Sequence, residues 1–195
     1  EAMSKKSISF FYRFFAALMI VTLALGALPV TPAYAATVVV NTATDEDTPA
    51  GTLCSLREAI IAANTDASYN DCIGGTGNDT ITFNIPSASP TITFLSVPPS
   101  VTDGDGLTID GTNLNAAGGE VTVSGNNGVR IFNITSGATT IRDITLLNGQ
   151  VNGNGGAILN NGGTSLTIDN VKFTTNRTVT GGGNDGGAIY HTSGA

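Results

Sequence analysis

The chain is poor in the residues that build metal centres. It has one histidine, His191, and two cysteines, Cys54 and Cys72. These leave no zinc-ligand cluster of any usual spacing. Positive charge is also scarce. Eight lysines and arginines stand against fifteen acids over 195 residues, and three of the eight (Lys5, Lys6 and Arg13) fall in the first 35. Residues 36–195 keep five basic and fourteen acidic groups, a formal charge of −9. That balance argues against non-specific binding to nucleic acid or to an anionic membrane surface. Long apolar runs are missing as well: after residue 35 none is long enough to cross a bilayer as a helix.

The first 35 residues are different. Lys5, Lys6 and Arg13 precede an apolar run from Phe14 to Val30, and Ala33-Tyr34-Ala35 supplies an A-x-A exit. This order predicts a secretory signal peptide over 1–35, cleaved after Ala35. A permanent anchor is the competing reading, but the run is at the short limit for spanning, holds Gly26 and ends at Pro29. The expected location is secreted or cell-surface, and contact with a membrane is expected only through this leader or an anchor beyond Ala195. In an exported chain two cysteines read as one disulfide, Cys54–Cys72, rather than two buried thiols. The length of 36–195 suits one domain.

Along that domain, "ATVVVNT" (36–42) reads as a strand. After a polar loop, "CSLREAIIAAN" (54–64) reads as a helix over 55–64. Ser55 is its N-cap and Glu58 completes the S-x-x-E capping box. Leu56, Ala59, Ile60 and Ala63 make one apolar stripe, with Arg57, Glu58, Ile61 and Ala62 away from it. Asn64 is expected to stop the helix in a left-handed conformation. So short a helix must be held by packing its stripe on something apolar. Arg57 is expected to face solvent or pair with Asp45, Glu46 or Asp47.

From Asp79 onward short apolar alternations recur between Gly, Asn, Pro and Asp, which reads as strands and turns. "TTIRDITLLNG" (139–149) aligns with "LTIDNVKFTTN" (166–176). Ile141 then matches Ile168, Ile144 matches Val171 and Leu146 matches Phe173, each 27 residues on. "GGAIL" (155–159) matches "GGAIY" (186–190) at an offset of 31. Within each repeat the alternation slips by one, so the chain must bend near Arg142-Asp143 and Asp169-Asn170 if all the apolar residues face one core. Self-similarity of this period predicts an all-β parallel β-helix, with coils over 79–195 and an N-terminal cap over 36–78 whose helix covers the open end.

"CSLREAIIAAN", preceded by an acidic loop and followed by "GNDTITF", resembles the CSLREA domain over roughly 38–85. The two "GGAI" strings (155–158, 186–189) and "FTTN" (173–176) resemble repeats of the polymorphic outer membrane proteins. The resemblance implies a right-handed, pectin-lyase-like β-helix on an exported or outer-membrane-associated bacterial protein. The chain departs from the second family by lacking a C-terminal barrel, and its end in mid-repeat at "GGAIYHTSGA" is expected to mark a fragment.

Candidate chemistry is sparse. "GGTGNDTIT" (74–82) fits a calcium β-roll nonapeptide, but that motif works in tandem copies and only one is present. "DGDGLTIDG" (103–111) groups Asp103, Asp105 and Asp110, without the EF-hand pattern, and reads as turns. No cofactor or metal site is therefore expected, calcium being the only ion considered. Asp110, Asp143 and Asp169 are expected to face outward, one per coil, as the carboxylates that a polysaccharide lyase or glycoside hydrolase would use. Arg142 and Arg177 lack a partnered lyase motif, and His191 reads as a surface residue. Asn148 and Asn176 read as stacked structural amides. With no catalytic residue assigned, the expected function is a non-enzymatic adhesive or structural module whose partner is an extracellular carbohydrate or a surface protein. A carbohydrate-active enzyme is the alternative.

Overall fold

A computed structural model describes residues 13–15, 35–49, 51–115, 119–179 and 185–192. The chain divides into two compact units, Glu1–Pro32 and Ala33–Ala195. Most of the expected signal peptide lies outside the described residues; of it, residues 13–15 are helical and exposed. Among the described residues no helix is long and apolar enough to cross a membrane.

The second unit holds one helix and twelve strands among the described residues. In chain order these are β1 (Thr37–Val40), α1 (Leu56–Thr65), β2 (Asp79–Phe83), β3 (Thr91–Thr93), β4 (Leu107–Asn113), β5 (Gly119–Ser124), β6 (Phe132–Ile134), β7 (Ala138–Leu147), β8 (Gln150–Val151), β9 (Ile158–Asn160), β10 (Ser165–Thr174), β11 (Arg177–Thr178) and β12 (Ile189–His191). Seven strands form one curled sheet in the order β1-β2-β4-β5-β7-β10, with β3 on β5 and a further pairing of β4 with β7. A three-stranded sheet β12-β9-β6 and a two-stranded sheet β11-β8 accompany it.

The β-branched alternation explains the strands. Val38, Val40, Ile81, Phe83, Leu107, Ile109, Val121 and Val123 are all at most 1% exposed, and the residues between them face outward. The slip in the repeats becomes a bend. Asp143 in β7 has φ 51° and Asn170 in β10 has φ 49°, the left-handed conformation that Asp and Asn tolerate. Each bend returns the second apolar pair to the core side. The first half of β7 pairs with β4 (Leu107↔Thr139 to Asp110↔Arg142), and its second half with β5 (Val121↔Ile144 to Ser124↔Leu147). The sequence repeats reappear as strand register: Ile168↔Ile141, Val171↔Ile144, Phe173↔Leu146, and Ile189↔Ile158 in the smaller sheet.

The parallel β-helix expected from the repeats, right-handed by the resemblance, is not what forms. The main sheet is curled like half a barrel, not a stack of like coils. Two local features break the uniformity. β4 pairs antiparallel with β5 (Thr112↔Glu120, Asn113↔Gly119). The β2–β4 register also shifts between Ile81 and Phe83, so that Phe83 lies opposite Asn113. The 27-residue offset of β7 with β10 recurs in β8 with β11 (Gln150↔Arg177), but the other parallel pairs step differently: Phe132↔Ile158 in β6 with β9, Ile158↔Ile189 in β9 with β12 and Leu107↔Thr139 in β4 with β7.

α1 packs on β1 and β2. Leu56, Ala59, Ile60 and Ala63 are at most 1% exposed, and Ala62, off the expected stripe, is buried too. The helix runs one residue further than the sequence suggests. Its left-handed end is Asp66 (φ 51°), not Asn64. Asn64 serves another purpose: its side chain donates to the Ser100 carbonyl (2.7 Å) and accepts from the Thr102 (2.8 Å) and Asp103 (3.2 Å) N–H groups.

Candidate functional site

Parallel pairing of β4, β7 and β10 aligns their outward residues. Asp110 lies beside Arg142, and Arg142 beside Asp169, so two carboxylates flank one guanidinium in a lateral row. Arg142 Nη2 donates to Asp110 Oδ2 at 2.7 Å, and the Thr112 N–H donates to Oδ1 at 3.1 Å. Burial pushes the Asp110 carboxyl up, but the Thr112 N–H, the Thr112 hydroxyl and Arg142 outweigh it, and the net pKa is below the ordinary 3.8. Asp169 is exposed.

Asp143 does not join this row. It occupies the bend one residue on, where its Oδ1 accepts from Asn170 Nδ2 at 2.8 Å. The expected ladder of Asp110, Asp143 and Asp169 is thus an Asp-Arg-Asp row with Asp143 displaced into the next row, beside Asn170. Gly111 at this level has no room for a side chain: a Cβ there would lie 2.3 Å from the Asp143 carbonyl oxygen.

Next to the bend is a cleft of about 170 Å³ lined by Thr112, Gly119, Glu120, Asp143 and Asn170. Glu120 Oε1 accepts from Thr145 Oγ1 at 2.7 Å. The cleft brings two carboxylates, an amide and a hydroxyl together, a set able to accept hydrogen bonds from a polyhydroxylated ligand. Sequence reasoning missed Glu120. Its signal was the alternation: with Val121 and Val123 inward, Glu120 and Thr122 must face out.

The residues at 54–64 are engaged within the fold. Cys54 and Cys72 form a disulfide across 18 residues. Glu58 is fully buried. Its Oε2 accepts from the Ser55 N–H (2.9 Å) and its Oε1 from Asn70 Nδ2 (2.8 Å), while Ser55 Oγ accepts from the Glu58 N–H (3.2 Å). Arg57 pairs with Asp45 at 2.8 Å, reaches the carbonyls of Ser96 and Val97, and lies 5.7 Å from the Phe94 ring centre. Asn176 accepts from the Gly149 N–H (2.7 Å) and donates to the Leu146 carbonyl (2.8 Å), and Asn148 accepts from the Thr175 hydroxyl. Arg177 begins β11 and His191 ends β12, both exposed and away from the cleft lining.

The two stretches weighed for calcium meet in space. Asp79, from 74–82, starts β2, and Asp103, from 103–111, precedes β4. Both are at most 3% exposed. Burial raises the Asp103 carboxyl above its ordinary 3.8, against the opposing N–H groups of Asp105 and Gly106, and the Asp66 and Asp79 carboxylates add to the rise. Among the described residues no three His, Cys, Asp or Glu side chains converge as a metal cluster. No protein-family model, no curated protein and no solved structure matches the chain.

Proposed function

We propose that the protein is an exported, non-enzymatic surface module that uses the polar outer face of β4, β7 and β10 to adhere to an extracellular carbohydrate or a surface protein. One observation carries the reading: Asp110, in the outward row, is held as a hydrogen-bonded anion. A glycosidase needs one carboxyl kept protonated near neutral pH. Asp110 is shifted the opposite way, by Thr112 and by Arg142, and Asp143 is bonded to Asn170. Export is supported by the charged start, apolar run and A-x-A exit of residues 1–35 and by the Cys54–Cys72 disulfide. The resemblance of 54–64 to the CSLREA domain, and of the "GGAI" and "FTTN" strings to polymorphic outer membrane proteins, points to the same surface location.

A panel of polysaccharides, scored separately for retention of the protein and for release of soluble products, tests this. Retention without product is expected. Product release that disappears in Asp110→Ala or Asp143→Ala would sink the adhesive reading. The cleft favours one alternative, a carbohydrate-active enzyme in which Glu120 and Asp143 are the paired carboxyls. Turnover lost in Glu120→Gln but kept in Asp110→Ala would establish it.

A further inference from the structure

The head of β2 holds a buried charge that adhesion does not use. β2 buries alternate residues, and Asp79 heads the inward row that continues with Ile81 and Phe83. Its register partner in β4 is Leu107, an apolar residue as an inward row requires. Asp79 is fully buried nonetheless. Its Oδ1 accepts from the Ala36 N–H at 2.7 Å, and its Oδ2 is buried without a partner. The five basic side chains of 36–195 are placed elsewhere. Arg57 pairs with Asp45, Arg142 pairs with Asp110, and Arg130 donates to the Asn154 and Gly155 carbonyls, while Lys172 and Arg177 are exposed on β10 and β11. The Asp103 carboxylate acts on Asp79 with like sign and offers no compensation. One neutral N–H is a poor partner for a carboxylate taken out of water.

The strand register selects the donor of that N–H. Thr37 pairs with Thr80, so Ala36 lies beside Asp79, one step before β1 begins. Ala36 is fixed at both ends: its N–H donates to Asp79 Oδ1, and its carbonyl oxygen accepts from the Thr80 N–H at 2.8 Å. It is half-buried, whereas Ala35 before it is exposed. Ala36 is also the residue that follows the Ala33-Tyr34-Ala35 exit. An exit pattern in the sequence and a buried carboxylate in the fold thus meet at one nitrogen.

We propose, on the export reading above, that cleavage after Ala35 supplies the missing counter-charge: the freed α-ammonium of Ala36 forms a buried ion pair with Asp79 that locks β1 onto β2. Water adds across the Ala35–Ala36 amide under the peptidase that removes the leader. The C–N bond breaks, the water oxygen bonds to the Ala35 carbonyl carbon, which departs as a carboxylate, and both water protons end on the Ala36 nitrogen. An α-amine has an ordinary pKa of about 7.7–8.0 and is charged at neutral pH, and a carboxylate at hydrogen-bond distance favours that charge further. The nitrogen stands 2.7 Å from Oδ1, and with an ionised donor this contact becomes a strong, charge-assisted one. In the uncleaved chain the same nitrogen is a neutral amide. Removal of the leader and stability of the first strand pair are therefore coupled through one side chain.

The full chain is expressed in an exporting bacterial host, and the released protein is read by intact mass and N-terminal sequencing. Ala36 is expected as the first residue. A double-mutant cycle in Tm then isolates the ion pair. One change inserts two glycines between Ala35 and Ala36, which moves the ammonium away and leaves an amide at Ala36. The other is Asp79→Asn, which keeps the shape and removes the charge. The insertion is expected to lower the Tm of the processed chain by several degrees, and to have no effect when Asp79→Asn is also present. A second readout does not need Asp79→Asn to fold. The Ala36 α-amine of the native processed chain should react with an acylating reagent many-fold more slowly than the α-amine of the inserted chain, with exposed Lys172 as the internal reference. No processing, or a first residue other than Ala36, would overturn the ion pair together with the cleavage expected at Ala35. A first residue Ala36 with equal acylation rates, with a Tm unmoved by the insertion, or with a Tm lowered equally with and without Asp79→Asn would overturn the ion pair alone and leave export standing.

Discussion

Asp110 shows how one side chain can be placed by competing forces. Burial opposes its charge, while the Thr112 N–H, the Thr112 hydroxyl and Arg142 favour it, and the charge wins. A carboxyl with a folded pKa below its unfolded value stabilises the protein above that unfolded value. The contribution is lost as pH falls through the lowered folded value. Acidification below about pH 4 is therefore expected to lower the wild-type Tm more steeply than that of Asp110→Asn. Equal slopes in the two proteins would show that the Arg142 contact contributes nothing. At this scale the sequence was legible where partners are close in the chain and opaque where they are not. Ser55 and Glu58 are three residues apart, and their capping box could be read directly. Asn64 could not: its partners, Ser100, Thr102 and Asp103, lie 36 to 39 residues on. With its side chain committed there, the left-handed stop falls to Asp66.

α1 is a ten-residue helix, too short to stand alone in water, so its packing stripe must hold it. Leu56 is 1% exposed. Leu56→Asp would bury a charge and remove an apolar side chain together, and is expected to cost roughly 3–5 kcal/mol or to aggregate the protein. Wild-type solubility and an unchanged denaturation midpoint would refute it. Among the strands, β7 and β10 were legible because the chain repeats itself there, and the 27-residue offset is their pairing register. β4 and β5 could be read as strands from their alternation, and "LTID" at 107–110 recurs at 166–169, but their antiparallel pairing could not, because it lies beyond that match. The antiparallel contact of Thr112 with Glu120 belongs to that pair alone, and the Glu120 side of the cleft went unseen with it.

Across the whole molecule the error lay in extending a local period to every strand. The 27-residue match covers two strands, and the seven-stranded sheet obeys it only there. Burial is also uneven along the sheet. Ile141 in β7 is fully buried, while its register partner Ile168 in β10 is half-buried. Ile141→Ala is expected to cost about 2–5 kcal/mol, and Ile168→Ala less than half as much by urea denaturation. Equal costs would mean that β10 is as well packed as β7. The bend at Asp143 carries a consequence in time as well as in energy. β7 must find β4 with one half and β5 with the other, over separations of some 20 to 30 residues, before β10 has a surface to join. Closing such distant pairings is slow. Docking of β7 is thus a gate through which refolding must pass: a chain interrupted before that moment keeps β10 waiting, and one interrupted after it already holds the template on which β10 closes its own 27-residue pairing.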